Sequence, residues 1–152
     1  MTVKRSKRMQ KLVDIESEIA RPLLSAFKAE QVRLQQEKQA LSDLLGYRDE
    51  YSSRFKSTGD AGISSFQMQD FHCFLQKLDD AIFGQRQALI MTQQRLEAAQ
   101  KAWQQAQQRV DALQKVTEQS ASEEQRLARK QLQRKVEERF GLSESNAYST
   151  QG

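Results

Sequence analysis

From residue 71 onward the apolar positions of this chain advance by alternating steps of four and three. One row reads Leu75, Ile82, Leu89, Leu96, Trp103, Val110, and the other reads Phe71, Leu78, Gln85, Thr92, Ala99, Ala106, Leu113. This spacing is the a/d seam of a coiled coil, because a 3.5-residue repeat keeps one stripe of a helix turned toward a partner. Thr117, Ser120 and Glu124 then occupy the same positions, so the apolar seam fades after about residue 116 while helix-forming residues continue to about 139. Upstream, Val13, Ala20, Phe27, Leu34, Leu41 and Phe55 recur at a period of seven, with Arg48 as the exception. Leu12, Ile15, Ile19, Leu23, Leu24, Leu44 and Leu45 broaden that stripe. Between the two patterns lies "STGDAGISS", residues 57–65, the strongest break in the chain. Ser64 or Ser65 is placed to cap the next helix, its oxygen accepting from a free backbone N–H. The pattern predicts helices over about 5–56 and about 65–140, joined by a turn at 57–65. Pro22 removes a backbone hydrogen bond and clashes with the preceding turn, which predicts a kink there or a helix that restarts at 21 or 22.

Folding the chain at residues 60 and 61 pairs positions whose numbers sum to about 121. Met9 then faces the region of residue 112 and Val3 faces about 118, close to where the a/d seam turns polar. The expected fold class is all-α: a long antiparallel two-helix coiled-coil hairpin with an overhanging C-terminal helix. The overhang is some 20 residues, ~30 Å, of a second helix ~110 Å long. Residues 1–142 are read as a single coiled-coil hairpin domain, and "SESNAYSTQG" at 143–152 as a disordered tail. Gly46 and Gly84 fall inside the helices.

Composition agrees with helices that each bury one stripe. The mean hydropathy is −0.79 and aromatics make up 7%, too little apolar material for a compact globular core. No apolar run approaches the ~20 residues that span a bilayer. The basic N-terminus has no apolar segment behind it, so it is not read as a signal peptide. Cys73 has no second cysteine to bridge, which fits a reducing cytosol. One histidine, no metal-ligand cluster and no glycine-rich phosphate loop leave no catalytic, cofactor or metal site to nominate. Cys73 reads as a small apolar filler, His72 as a surface or boundary residue, and Trp103 as core.

Charge is uneven along the expected hairpin. Residues 40–83 carry four cations and seven acids, residues 1–39 nine and five, and residues 84–140 eleven and seven. The acidic tip therefore opposes a basic open end. Lys4, Arg5, Lys7 and Arg8 in "KRSKRMQK" meet Arg129, Lys130, Arg134 and Lys135 in "RLARKQLQRK" at that end. Such an end suits an acidic protein cavity, anionic lipid or nucleic acid, and a merely solvated surface stays open beside these. The net charge of only +4, with acids interspersed, argues against nucleic acid.

Near the tip, Leu44, Tyr47 and Tyr51 share one helix face. Opposite-number pairing sets Tyr47 across from Phe74 and Leu44 near Lys77 and Leu78. Phe74, Leu78 and Ala81 lie on one face of the second helix. With Leu41 and Leu45 filling the seam, Leu44, Tyr47 and Tyr51 are expected to its side, and Arg48, Asp49 and Glu50 on the charged outer surface. This is more apolar surface than two helices bury in each other. Docking of a partner is one reading, and tyrosines that flank the seam with hydroxyls in water are the other.

"YRDEY" at 47–51, a glycine-containing turn, "FHCFLQKLDDAI" at 71–82 and the tryptophan of "AAQKAWQQAQQRVDALQ" at 98–114 follow in order. Together they resemble the flagellar export protein FliJ family over roughly residues 5–140. The resemblance implies an antiparallel coiled coil similar to the central stalk of rotary ATP synthases. It implies a soluble, cytoplasmic, non-enzymatic component of type III protein export at the cytoplasmic face of the inner membrane, monomeric alone and reaching the membrane only through partners. The implied partners are the hexameric export ATPase and its regulator, the export-gate membrane protein FlhA, and export chaperones. The end bearing both termini corresponds to the part that enters the ATPase ring. Leu44, Tyr47, Tyr51, Phe74, Leu78 and Ala81 match the gate-binding part. Pro22 and the ending "RKVEERF" depart from the family pattern. A self-associating coiled-coil scaffold, and the equivalent stalk of a virulence secretion system, are the competing readings.

Overall fold

The computed structural model describes residues 4–59 and 62–149, with side chains as far as Gly141. Two helices account for nearly all of them: α1, Arg5–Gly59, and α2, Ser65–Ser149. They pack antiparallel as an all-α helical hairpin. The chain falls into two compact units, Ala20–Gln105 and the residues on either side of that span.

In the unit Ala20–Gln105 the seam follows the heptads. Ala20, Leu34, Phe71 and Ile82 are buried, and Phe27, Leu41, Phe55, Leu75, Leu78, Leu89, Leu96 and Trp103 are half-buried. Phe27 stacks on Trp103 with ring centroids 5.8 Å apart, which places the tryptophan in the core. The polar seam positions are integrated rather than expelled. Thr92 is 1% exposed, and the Gln85 amide donates to the Glu37 carbonyl oxygen at 3.1 Å.

The second helical row of α1 is more polar than its apolar stripe suggests. Glu16, Glu30 and Glu37 lie on it at half-buried positions. Each has one carboxylate oxygen enclosed without a hydrogen-bond partner. A polar group in a seam costs stability and restricts the alignments the helices can adopt.

The turn is shorter and later than the glycines suggest. Ser57 and Thr58 remain helical because both hydroxyls donate to the Arg54 carbonyl oxygen, at 3.0 and 2.8 Å. Such back-bonding lets residues that favour turns continue a helix. Gly62 supplies the reversal with φ of 90°, a conformation that disfavours any residue with a Cβ. Ser64 then caps α2. Its hydroxyl accepts from the Gln67 N–H, and the Gln67 side chain accepts from the Ser64 N–H, both at 3.2 Å. This is a reciprocal capping box.

Extending α1 to Gly59 moves the fold-back point and shifts the alignment of the helices. Met9 meets Ser120, with its sulfur 3.6 Å from the hydroxyl, instead of the region of residue 112. Tyr51, not Tyr47, stands against Phe74. α1 also passes through Pro22 without restarting. A proline deprives a helix of one hydrogen bond, and here long helical segments continue on both sides of it. At the other end α2 reaches Ser149 instead of stopping near 140, so the expected disordered tail is helical from 143 to 149. Residues 150–152 lie outside the described residues.

In the other unit, Val13 and Ala106 are buried and Met9, Val110 and Leu113 are half-buried. Thr117 and Ser120, where the seam turns polar, are also buried. Thr117 stays satisfied by donating to the Leu113 carbonyl oxygen at 2.6 Å. Near the start of α1 the two helices meet at Ser6. Its backbone N–H and hydroxyl donate to the two oxygens of Glu124, at 3.1 and 2.6 Å. Every described side chain from 125 to 141 is exposed.

Candidate functional site: an aromatic groove and a basic end

Tyr47, Glu50, Tyr51 and Arg54 fall at i, i+3, i+4 and i+7 on α1, so one face of that helix presents all four. Phe74 and Leu78 present the matching face of α2. Together the six residues line an open groove of about 210 Å³. Tyr51 is its hinge with the core. Its ring lies 4.4 Å from Phe74, tilted by 53°, and 5.2 Å from Phe71, nearly parallel. Phe71 in turn stacks on Phe55 at 3.6 Å. The buried end of this aromatic chain fixes the exposed end: Tyr47 is 61% and Phe74 45% exposed. An adjoining cavity of about 330 Å³ lies toward the turn, lined by Phe55, Thr58, Ile63, Gln67, Asp70 and Phe71 together with Tyr51 and Arg54.

Of the residues expected here, Tyr47, Tyr51, Phe74 and Leu78 come together in the groove. Leu44 is half-buried and Ala81 is exposed, and neither lines it. Tyr51 was expected beside the seam with Tyr47, but the later fold-back sets it on Phe71. The charged residues also differ from the expected outer surface. Arg48 reaches across to α2 and pairs with Asp79 at 2.6 Å. That hydrogen bond, and secondarily the charge of Asp79, raises the guanidinium pKa above its ordinary value. Glu50 lines the groove and holds Arg54 at 2.8 Å. The signal for Glu50 and Arg54 was present in their spacing from Tyr47. Cys73, expected as an apolar filler, is exposed, as is His72.

The basic residues lie in the unit that contains both helix ends. Lys4, Arg5, Lys7 and Arg8 are exposed around the start of α1, and Arg129, Lys130, Arg134 and Lys135 are exposed on α2. Ser6 sits against Glu124, so Lys135 lies eleven residues past that contact, ~16 Å farther along α2. Arg129, Lys130, Arg134 and Lys135 therefore lie progressively farther along α2 from the Ser6–Glu124 contact. Glu124 itself is held below the usual carboxylate range, first by the Ser6 hydroxyl, then by the Ser6 backbone N–H, with Lys4 adding to the effect.

Among the described residues no group of three or more His, Cys, Asp or Glu side chains is placed to hold a metal ion. No described helix is long and apolar enough to cross a membrane. The geometry is that of an all-helical hairpin with an open aromatic groove beside its seam. The sequence pattern of the flagellar FliJ protein family matches residues 5–142, and the chain belongs to that family. It is thereby a protein related to flagellar type III export, in a family of non-enzymatic export components. No curated protein and no solved structure matches it.

Proposed function

We propose that the chain is a stalk and coupling component of the flagellar type III export apparatus. In this reading it links the export ATPase ring to the export gate and escorts export chaperones. It is cytoplasmic, monomeric alone, and held at the inner membrane through its partners. Residues 1–142 act as one functional hairpin. The observation that carries the reading is the groove of Tyr47, Tyr51, Phe74 and Leu78, which leaves large aromatic area in water beside a seam that is already filled. Leu44 and Ala81 belong to the same gate-facing surface, FlhA being the partner. Lys4, Arg5, Lys7, Arg8, Arg129, Lys130, Arg134 and Lys135 serve the ATPase end.

The test is titration of the purified chain against the cytosolic part of the gate protein. Tyr47→Ala combined with Phe74→Ala is expected to weaken binding at least ten-fold, the scale of truncating a hot-spot pair, while the helical circular dichroism is retained. Unchanged affinity would remove the groove from the gate. In a parallel assay, adding the chain to the export ATPase is expected to raise phosphate release. No stimulation together with no co-elution would sink the coupling role.

A further inference from the structure

The cavity beside the turn lies within the unit Ala20–Gln105. It shares Tyr51 and Arg54 with the groove, but Ile63, Gln67 and Asp70 lie outside that groove. Its floor is set by contacts within the chain. Phe55 and Phe71 stack at 3.6 Å and Tyr51 lies 5.2 Å from Phe71, so three rings hold one another in place. Ile63, half-buried just after the turn, adds an aliphatic wall. The volume of about 330 Å³ has room for one large side chain and the backbone beside it. A preformed apolar hollow with a few polar groups on its rim is the usual form of a binding site. The rim here is uneven in charge. Arg54 is held by Glu50 at 2.8 Å, whereas Asp70 stands exposed on α2. Phe66, four residues before Asp70 and on the same side of the helix, is 78% exposed. Asp70 therefore stands between the rings of the cavity and an open ring. The surrounding residues 40–83 carry seven acids and four cations, and two of those cations, Arg48 and Arg54, are already in ion pairs.

We infer that this cavity takes an extended basic–apolar segment of a partner protein. One large apolar side chain enters onto Phe55, Phe71 and Ile63, and an arginine two residues away pairs with Asp70. Residues two apart in an extended chain point to the same side, which lets one segment reach the hollow and its rim together. Arginine suits the rim because its charge meets the Asp70 carboxylate while its stem and planar head lie along the Phe66 ring. An acidic segment would bring like charge to Asp70 and to the acid-rich stretch around it, so the same rim selects against it. This site goes beyond the proposed function, and its decisive residue, Asp70, is not part of the gate-facing surface.

The experiment is titration of the nitrogen-15-labelled full chain with the peptide acetyl-Gly-Phe-Ala-Arg-Gly-amide, read by amide chemical shifts. The control peptide carries Glu in place of Arg. Shifts are expected at Thr58, Ile63 and Asp70 with the arginine peptide, and much smaller ones with the control. Asp70→Asn is expected to weaken the arginine peptide roughly three- to five-fold, the scale of one exposed ion pair. Asp70→Lys should reverse the preference between the two peptides, a result that damage to the fold would not produce. Thr58→Phe, which fills the hollow, should abolish binding of both while the helical circular dichroism is retained. Absence of shifts at these positions with the arginine peptide at about 1 mM overturns the inference. So does equal binding of the two peptides, or loss of neither on Thr58→Phe. Sedimentation of the full chain alone supplies the remaining outcome. Self-association that Asp70→Lys removes would make a second copy the occupant and overturn the assignment to a separate partner.

Discussion

Glu124 on α2 caps the N-terminus of α1. Its two carboxylate oxygens accept from the backbone N–H and the hydroxyl of Ser6, one residue into the helix. The first N–H groups of a helix have no partner within it, and the helix dipole favours a negative charge there. A carboxylate at this point therefore satisfies free donors and fixes the alignment of the open end at once.

Glu124 has a depressed pKa in the folded chain. Its contribution is therefore fully present above the unfolded carboxylate value and is lost as pH falls through the lower, folded value. Glu124→Gln should unfold at a lower temperature than the parent at neutral pH. The gap should close as the pH is taken well below the ordinary Glu range. Thermal melts of both proteins across an acid series measure this directly, and a pH-independent gap would exclude the carboxylate as the cause.

The enclosed, unpartnered oxygen of Glu30 predicts an opposite outcome. Glu30→Leu is expected to stabilise the hairpin by about 1–3 kcal/mol, the cost of leaving a buried polar group unsatisfied. The same change removes a polar marker of alignment, so sedimentation at rising concentration should show more self-association than in the parent.

Glycine substitutions separate the turn from the helices. Gly62 has φ of 90°, and Gly62→Ala is expected to cost about 1–2 kcal/mol whatever space surrounds it. Gly84 lies within α2, and a Cβ there meets nothing within 4 Å. Gly84→Ala should stabilise by about 1 kcal/mol. Chemical denaturation of the two variants reads both signs.

Phe71→Ala and Tyr47→Ala should differ sharply although both residues belong to the same aromatic neighbourhood. Phe71 is buried and stacked on Phe55 and Tyr51, so its loss is expected to cost about 3–5 kcal/mol. Tyr47 is largely in water and its removal should leave the unfolding midpoint nearly unchanged. A large destabilisation by Tyr47→Ala would show that the groove is structural.

Much of this arrangement is legible in residue spacing. The row from Phe71 to Leu113 marks the inner face of α2 because heptad periodicity depends only on helix geometry and solvent avoidance. The break near Gly62 and the cap at Ser64 follow from local backbone chemistry in the same way. Local pattern also exposed the surplus of aromatic side chains near the turn.

The alignment of the two helices was decided by tertiary structure. Counting outward from the glycines placed Tyr47 on Phe74, whereas the helix persists through Ser57 and Thr58 and brings Tyr51 there instead. Whether a serine or threonine ends a helix or bonds back into it depends on the packing that follows, and a one-turn shift exchanges the residues that meet. The sequence by itself determined two helices, their buried faces and their order. Only the fold decided that Glu124 would cap Ser6, that Arg48 would reach Asp79, and that Tyr51 would join the core while Tyr47 stayed in water. Those contacts join residues far apart in the chain, and their geometry is set by the helix pair as a whole.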